Sequence, residues 1–230
     1  MAPSLHQFLA QFLTEERLAR FEDVLAHRTR HLTLVLENVF HAHNASACLR
    51  TCDCLGIQDV HIIETRNAFE PNDDIALGSG QWLTTRRFHA TSDEDSPTAD
   101  CIADLRQAGY RILATSPLQN SLPLHEDTAT EKTAVIFGAE QLGVSQTAID
   151  QADDLVHIPM YGFTESFNIS VSVALVFQQL LNRVREHGDA WQLTETEKQE
   201  LREKWVRQSL GTKLAPLIRR FEQDLGHDAD

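Results

Sequence analysis

Ile158-Pro-Met-Tyr-Gly-Phe-Thr-Glu-Ser-Phe-Asn-Ile-Ser-Val-Ser-Val-Ala174 is the stretch on which the reading of this chain turns. A short apolar strand ends at Pro159, passes through a loop holding Gly162, and enters a long apolar helix through small polar residues. Over 168–181, Ile169, Val171, Val173, Ala174, Leu175, Val176, Phe177, Leu180 and Leu181 cover most of the helical circumference. A surface helix carries one apolar stripe, so this pattern predicts burial on most sides. The first turn has N–H groups with no intrahelical partner, and Ser166 and Asn168 are candidate caps. A buried helix that starts in a polar loop at a strand end is where an α/β protein holds a ligand.

Upstream of that stretch, strands and helices alternate. Apolar runs predict strands at 31–37, 58–64, 84–89, 110–115, 133–137 and 155–158. Helices are expected at 44–55, ended by Gly56, at 98–108, stopped by Gly109, and at 145–150. A long loop with Pro71 and Ala76-Leu-Gly-Ser-Gly80 separates the second and third strands, and an acidic turn occupies 92–97. Such alternation predicts an α/β fold, a mostly parallel sheet with helices on both faces. Two helical segments over 4–27 and two charged helices over 194–225 read as N- and C-terminal helical extensions. The expected organisation is an extension at 1–28, a core domain at 29–187 and a second extension at 188–230.

With 230 residues, 42% of them hydrophobic, the chain suffices for one medium domain with helical additions. No apolar run reaches the roughly 18–20 residues of a membrane helix. The N-terminus is amphipathic and contains acidic residues, unlike a signal or transit peptide, so a cytoplasmic protein without membrane contact is expected. A net charge of −14 argues against whole-surface attraction to nucleic acid but leaves room for local basic patches. Arg17, Arg20, Arg28 and Arg30 cluster near the start, Arg86 and Arg87 form a pair, and Arg202, Lys204, Arg207, Lys213, Arg219 and Arg220 enrich the end. Solvated helix faces paired with Glu account for the same residues. Cys48, Cys52 and Cys54 fall close together, but Cys-x3-Cys-x-Cys lacks the paired knuckles of structural zinc, so buried thiols and no metal are expected.

Three strand-end loops carry unusual residues. Asn44 and Arg50 lie near the start of a helix, where Asn44 is also a candidate N-cap. Phe137-Gly-Ala-Glu-Gln-Leu-Gly143 has glycines that permit close backbone approach, and Glu140 is placed to bind a polar group or cap the next helix. The third is 162–168. No phosphate-binding Walker loop, dinucleotide fingerprint, nucleophile elbow or zinc-protease motif occurs.

Taken in order, Asn44-x5-Arg50-Thr51, Phe137-Gly-x-Glu-x-x-Gly143 and Ile158-Pro-Met-x-Gly…Ser166-x-Asn168-x-Ser170-Val171-Ser172 resemble the SpoU/TrmH branch of the SPOUT RNA methyltransferases. The likeness spans residues ~30–185. Phe167 stands where Leu is commonest in the family's third motif, a mild apolar change, and Val144 after Gly143 is similarly mild. The resemblance implies a C-terminal trefoil knot, an exception to the usual avoidance of knots. It implies S-adenosylmethionine as methyl donor, a ribose 2′-oxygen of RNA as acceptor, and a homodimer. It assigns catalytic roles to Arg50, Asn44, Glu140, Ser166 and Asn168, and cofactor contacts, largely through backbone groups, to Thr115, Gly138, Ile158 and Phe167. The flanking helices resemble those of family members that modify guanosine 18 in the tRNA D-loop. Ribosomal RNA, another tRNA position and a non-catalytic RNA-binding role are the alternatives.

Overall fold

A computed structural model describes residues 4–39, 41–65, 78–92, 95–117 and 120–227. Pro71 and most of the long loop expected around it lie outside the described residues, as does part of the acidic turn at 92–97. The chain divides into two compact units, one of residues 29–192 and one formed by 1–28 together with 193–230.

The larger unit is built on seven strands: β1 (Leu32–Glu37), β2 (Asp59–Glu64), β3 (Thr84–His89), β4 (Arg111–Thr115), β5 (Leu122–Pro123), β6 (Thr133–Phe137) and β7 (Asp154–His157). Their order is β3-β2-β1-β6-β4-β7-β5, and every pairing is parallel. Six of the strands sit where apolar runs predict them. The two-residue β5 is too short to leave a periodic signal.

Alternation along the strands sorts the core onto two faces. Leu32, Leu34 and Leu36 of β1, with Val135 and Phe137 of β6, pack with α3 (Ala42–Leu55) and with the long helix that follows β7, Ile169–Glu186. Val35, Ala134 and Ile136 point the other way, onto α4 (Pro97–Gln107) and Ala148 of α5 (Gln146–Gln151). The helix Ile169–Glu186, α6, departs from the expectation of burial on most sides. It buries Ile169, Val173, Val176, Phe177, Leu180, Leu181 and Val184, while Val171 and Leu175 remain exposed. Positions 171 and 175 are one turn apart, so they form a short apolar stripe opposite the core.

The smaller unit comprises α1 (Leu5–Ala10), α2 (Glu15–Leu25), α7 (Glu195–Leu210) and α8 (Leu214–His227). Phe21 meets Trp205 edge-on, and the Arg28 guanidinium lies over the same indole, 5.6 Å from its centroid. Arg202 grips Glu22 through two nitrogens, at 2.6 and 2.8 Å. Arg28 and Arg202 are therefore fixed within this unit, whereas Arg17, Arg20, Arg207, Lys213, Arg219 and Arg220 are exposed. None of the described helices is long and apolar enough to cross a membrane.

In the larger unit, Asp127 is 3% exposed and receives Arg111 at 3.0 Å and Arg183 at 2.8 Å. It ties the segment after β5 to the start of β4 and to the last turns of α6. Removing the carboxylate leaves Arg183 without its ion-pair partner and with the Leu124 carbonyl at 3.4 Å, while Arg111 retains Asp154. Asp127→Ala is therefore expected to cost about 3 kcal/mol, read as a lower denaturation midpoint at unchanged slope in urea.

Candidate functional site

Three neighbouring strands bring the site together. Because β6, β4 and β7 are adjacent and parallel, their carboxyl ends open side by side, and Thr115, Gly138 and Ile158 sit at or just past those ends. This is the edge of an open α/β sheet where ligands bind. The Thr115 hydroxyl is spent on the carbonyl of Ile136, at 3.0 Å, so it is not presented outward. Among the described residues, no hydrogen bond engages the main-chain groups of 160–166, which belong to no helix or strand.

The loop after β6 is folded tightly on itself. Gly143 donates its N–H to the carbonyl of Ala139 at 2.8 Å, with Gly143 in the left-handed region at φ 68°. A Cβ built on Gly138 would overlap the main chain of Gly143 and Val144. Glycine at 138 is thus a steric requirement of this loop, and its effect is to project Glu140 from the tip.

Glu140 is met by the first motif. Asn44, mostly buried in the first turn of α3, donates its Nδ2 to Glu140 Oε1 at 2.7 Å. Asn168 of the third motif donates its Nδ2 to Asn44 Oδ1 at 3.0 Å. Asn168 Oδ1 in turn accepts from the main-chain N–H of Ser170, at 2.9 Å, and from its hydroxyl, at 2.7 Å. One chain of hydrogen bonds, Ser170–Asn168–Asn44–Glu140, therefore joins all three motifs. Asn168 is the N-cap of α6. Asn44 is not a cap: His41 holds that position on α3, and the Asn44 amide is committed across the site instead. Nor does Glu140 cap the helix that follows its loop, since Ser145 does so by accepting the N–H of Ala148 at 3.1 Å.

Arg50 and Ser166 stand outside this cluster. Arg50 is exposed on α3, and six residues at roughly 100° each turn it onto a different side of the helix from Asn44. Ser166 is exposed in the loop before α6 and does not cap it. Phe167 is about half exposed, and Ile158 packs partly against the core. Around them Leu142, Tyr161 and Phe163 are strongly exposed, Phe163 completely so.

Cys48 and Cys52 are buried and Cys54 is exposed, as the helical spacing of three such residues requires. Burial, with a lesser contribution from Glu140, pushes the Cys48 thiol up to about 12. It is a core thiol. Among the described residues no group of three His, Cys, Asp or Glu is placed to hold a metal ion.

One participant is absent from the sequence reading. Glu37, at the end of β1, is 1% exposed. It accepts from Thr98 Oγ1 at 2.5 Å, Ser145 Oγ at 2.7 Å and the Ser145 N–H at 2.7 Å. The available signal was an acidic residue closing an apolar strand, since a buried Glu is rare unless it is paired.

An open parallel sheet whose strand ends meet a polar relay is the arrangement in which α/β proteins bind ligands. The chain belongs to the SpoU rRNA methylase family, whose model matches residues 31–178. It is 44% identical over 200 residues to a tRNA (guanosine(18)-2'-O)-methyltransferase of Borreliella burgdorferi, covering 87% of this chain and 88% of that relative. The enzyme of the same description from Escherichia coli K12 is 33% identical over 172 residues, 75% of this chain and 72% of the relative. Among solved structures, the Aquifex aeolicus TrmH/SpoU tRNA modifying enzyme superposes with a TM-score of 0.75 at 28% identity, covering 85% of this chain and 98% of that one.

Gly138→Ala is expected to force the loop open and break the Asn44–Glu140 bond. The cost should exceed about 2 kcal/mol, and a crystal structure of the variant should show Val144 displaced.

Proposed function

We propose that this protein transfers a methyl group from S-adenosylmethionine to the ribose 2′-oxygen of a tRNA nucleotide, guanosine 18 in the D-loop. The 44% identity to a tRNA (guanosine(18)-2'-O)-methyltransferase carries this reading, because it extends over nearly nine tenths of both chains and thus beyond the family core. The site supports it. The strand ends at Thr115, Gly138 and Ile158, with the main chain of 160–166 uncommitted, offer the close backbone contacts that a nucleoside ligand needs. These residues and Phe167 would hold the methyl donor, which supplies a methyl group on a good leaving group.

The protein's own work is then to hold the 2′-oxygen in line at roughly 3–3.5 Å and to favour its deprotonated form. Arg50 is exposed and suited to grip a phosphate with two parallel donors and to stabilise charge growing on the ribose oxygen. It is ill suited to be a base, because a guanidinium stays protonated. Asn44, Glu140 and Asn168 fix the walls of the pocket, and Ser166 contributes a polar group at its rim. Since Arg50 lies away from Asn44 on its own helix, it serves the site across the interface of a homodimer. Exposed Leu142, Tyr161, Phe163, Val171 and Leu175 supply the apolar face for that contact. A trefoil knot fits the sheet order, in which β7 lies between β4 and β5, both of which precede it in the chain. The exposed cations of the helical unit would meet the tRNA, with affinity falling steeply as salt rises. Action on tRNA places the protein in the cytoplasm.

Purified protein is expected to methylate an unmodified tRNA transcript and to fail when guanosine 18 is replaced. Undiminished incorporation into the replaced transcript would reject the site, and incorporation into ribosomal RNA alone would reject the substrate class. Arg50→Lys should lower kcat at least about tenfold with S-adenosylmethionine binding retained; near-wild-type turnover would refute the bidentate role. Leu175→Glu should shift the protein from dimer to monomer in analytical ultracentrifugation, and a variant that stays dimeric would remove this face from the interface.

A further inference from the structure

We infer that Glu37 is a positioning residue for the methyl-donor site, acting through Ser145 on the loop that carries Gly138 and Glu140. The inference rests on the proposed function and adds to it a group outside the residues that the family motifs assign.

The β1–β6 register pairs Leu36 with Phe137, which sets Glu37 beside Gly138, where the loop leaves β6. Ser145, where the loop ends, is held by the same carboxyl through both its N–H and its hydroxyl. One residue thus flanks both ends of the 138–145 loop, Gly138 through the strand register and Ser145 through the side-chain bonds. Between them the loop has no slack: Gly143 bonds back to Ala139, and the Gly138 α-carbon lies against the main chain of Gly143 and Val144. A shift of Ser145 is therefore passed to Gly138 and Glu140 rather than absorbed.

Helix capping does not explain the residue. Ser145 already caps α5 by accepting from Ala148, and it would do so without Glu37. Burying a carboxyl group is costly, and this site requires one for a specific reason. Three donors converge on its two oxygens, from Thr98, the Ser145 hydroxyl and the Ser145 N–H. Only a group that accepts at both ends meets all three; a glutamine would turn its NH2 toward a donor.

Thr98 provides the contrast that separates positioning from stability. It bonds the same carboxyl from α4 and has no part in the loop. Glu37→Gln and Ser145→Ala should each raise the Kd and KM for S-adenosylmethionine about tenfold, with kcat at saturating donor and KM for tRNA within about twofold of wild type. Thr98→Val should lower the melting temperature but leave both donor constants unchanged. The double variant Glu37→Gln/Ser145→Ala should be no worse than the weaker single variant, as expected for one shared interaction. Donor binding is measured calorimetrically without tRNA and KM by methyl transfer. If wild-type protein binds no donor, the proposed function fails. If wild type binds it and Glu37→Gln binds equally well, or Thr98→Val weakens binding as much as Glu37→Gln, the positioning role is overturned. Should Glu37→Gln not fold, Ser145→Ala against Thr98→Val decides the same question.

Discussion

The carboxamide of Asn44 has to satisfy two partners at once, donating to Glu140 and accepting from Asn168, which are 96 and 124 residues away in the chain. Meeting that condition fixes three elements together: the first turn of α3, the tip of the loop after β6, and the N-terminus of α6. An amide that is mostly buried with one side unpaired costs free energy comparable to a lost hydrogen bond or more. Few relative placements of the three elements avoid that cost. The glycines at 138 and 143 follow from it, because only a loop closed this tightly brings Glu140 within reach of a helix on one face of the sheet. The position of the α6 N-terminus follows too, since Asn168 caps that helix and bonds Asn44 with the same side chain.

Periodicity in the sequence located the large strands to within a residue or two, because a strand buried on both faces is a run of apolar residues bounded by turns. The site motifs were legible for a different reason: their residue types and order resemble a family. What the sequence did not show is pairing. Asn44 near a helix start reads as a cap in isolation, and only the fold reveals that Glu140 competes for it and wins. Glu37 reads as the polar end of a strand, and nothing in the local pattern indicates that Thr98 and Ser145, 61 and 108 residues away, converge on it. The helix α6 departs from its pattern in the opposite sense. Apolar side chains around its circumference predict burial, yet Val171 and Leu175 face outward. Sequence periodicity counts apolar positions around a helix but does not say which of them a neighbouring element covers.

Charge shows the same limit. An inventory of arginines near the two termini suggests a broad basic surface, but several guanidiniums are consumed by the fold. Arg28 lies over the Trp205 ring and is 2% exposed, and Arg202 is bound by Glu22. In the α/β unit, Arg111 and Arg183 converge on Asp127, where they hold the segment after β5 in place. Arg17, Arg20, Arg207, Lys213, Arg219 and Arg220 of the helical unit remain exposed. At a net charge of −14, the proposed binding of tRNA would rest on a few localised contacts rather than on the overall field.

The saturation of the Asn44–Asn168 relay also divides the labour of the site. Asn168 Oδ1 accepts two bonds from Ser170, Asn44 Oδ1 accepts from Asn168, and Glu140 Oε1 accepts from Asn44. Groups so committed hold geometry well and exchange protons poorly, since moving a proton along the relay would break the bonds that define it. Rigidity belongs to the relay and to the Glu37–Ser145 anchor behind it. In the proposed function, contact with the substrate falls to a group that the fold leaves outward, Arg50 on α3. An in-line methyl transfer needs both. The walls must not move when the methyl donor is held, and the charged group must remain free to follow a flexible ribose and its phosphate into place.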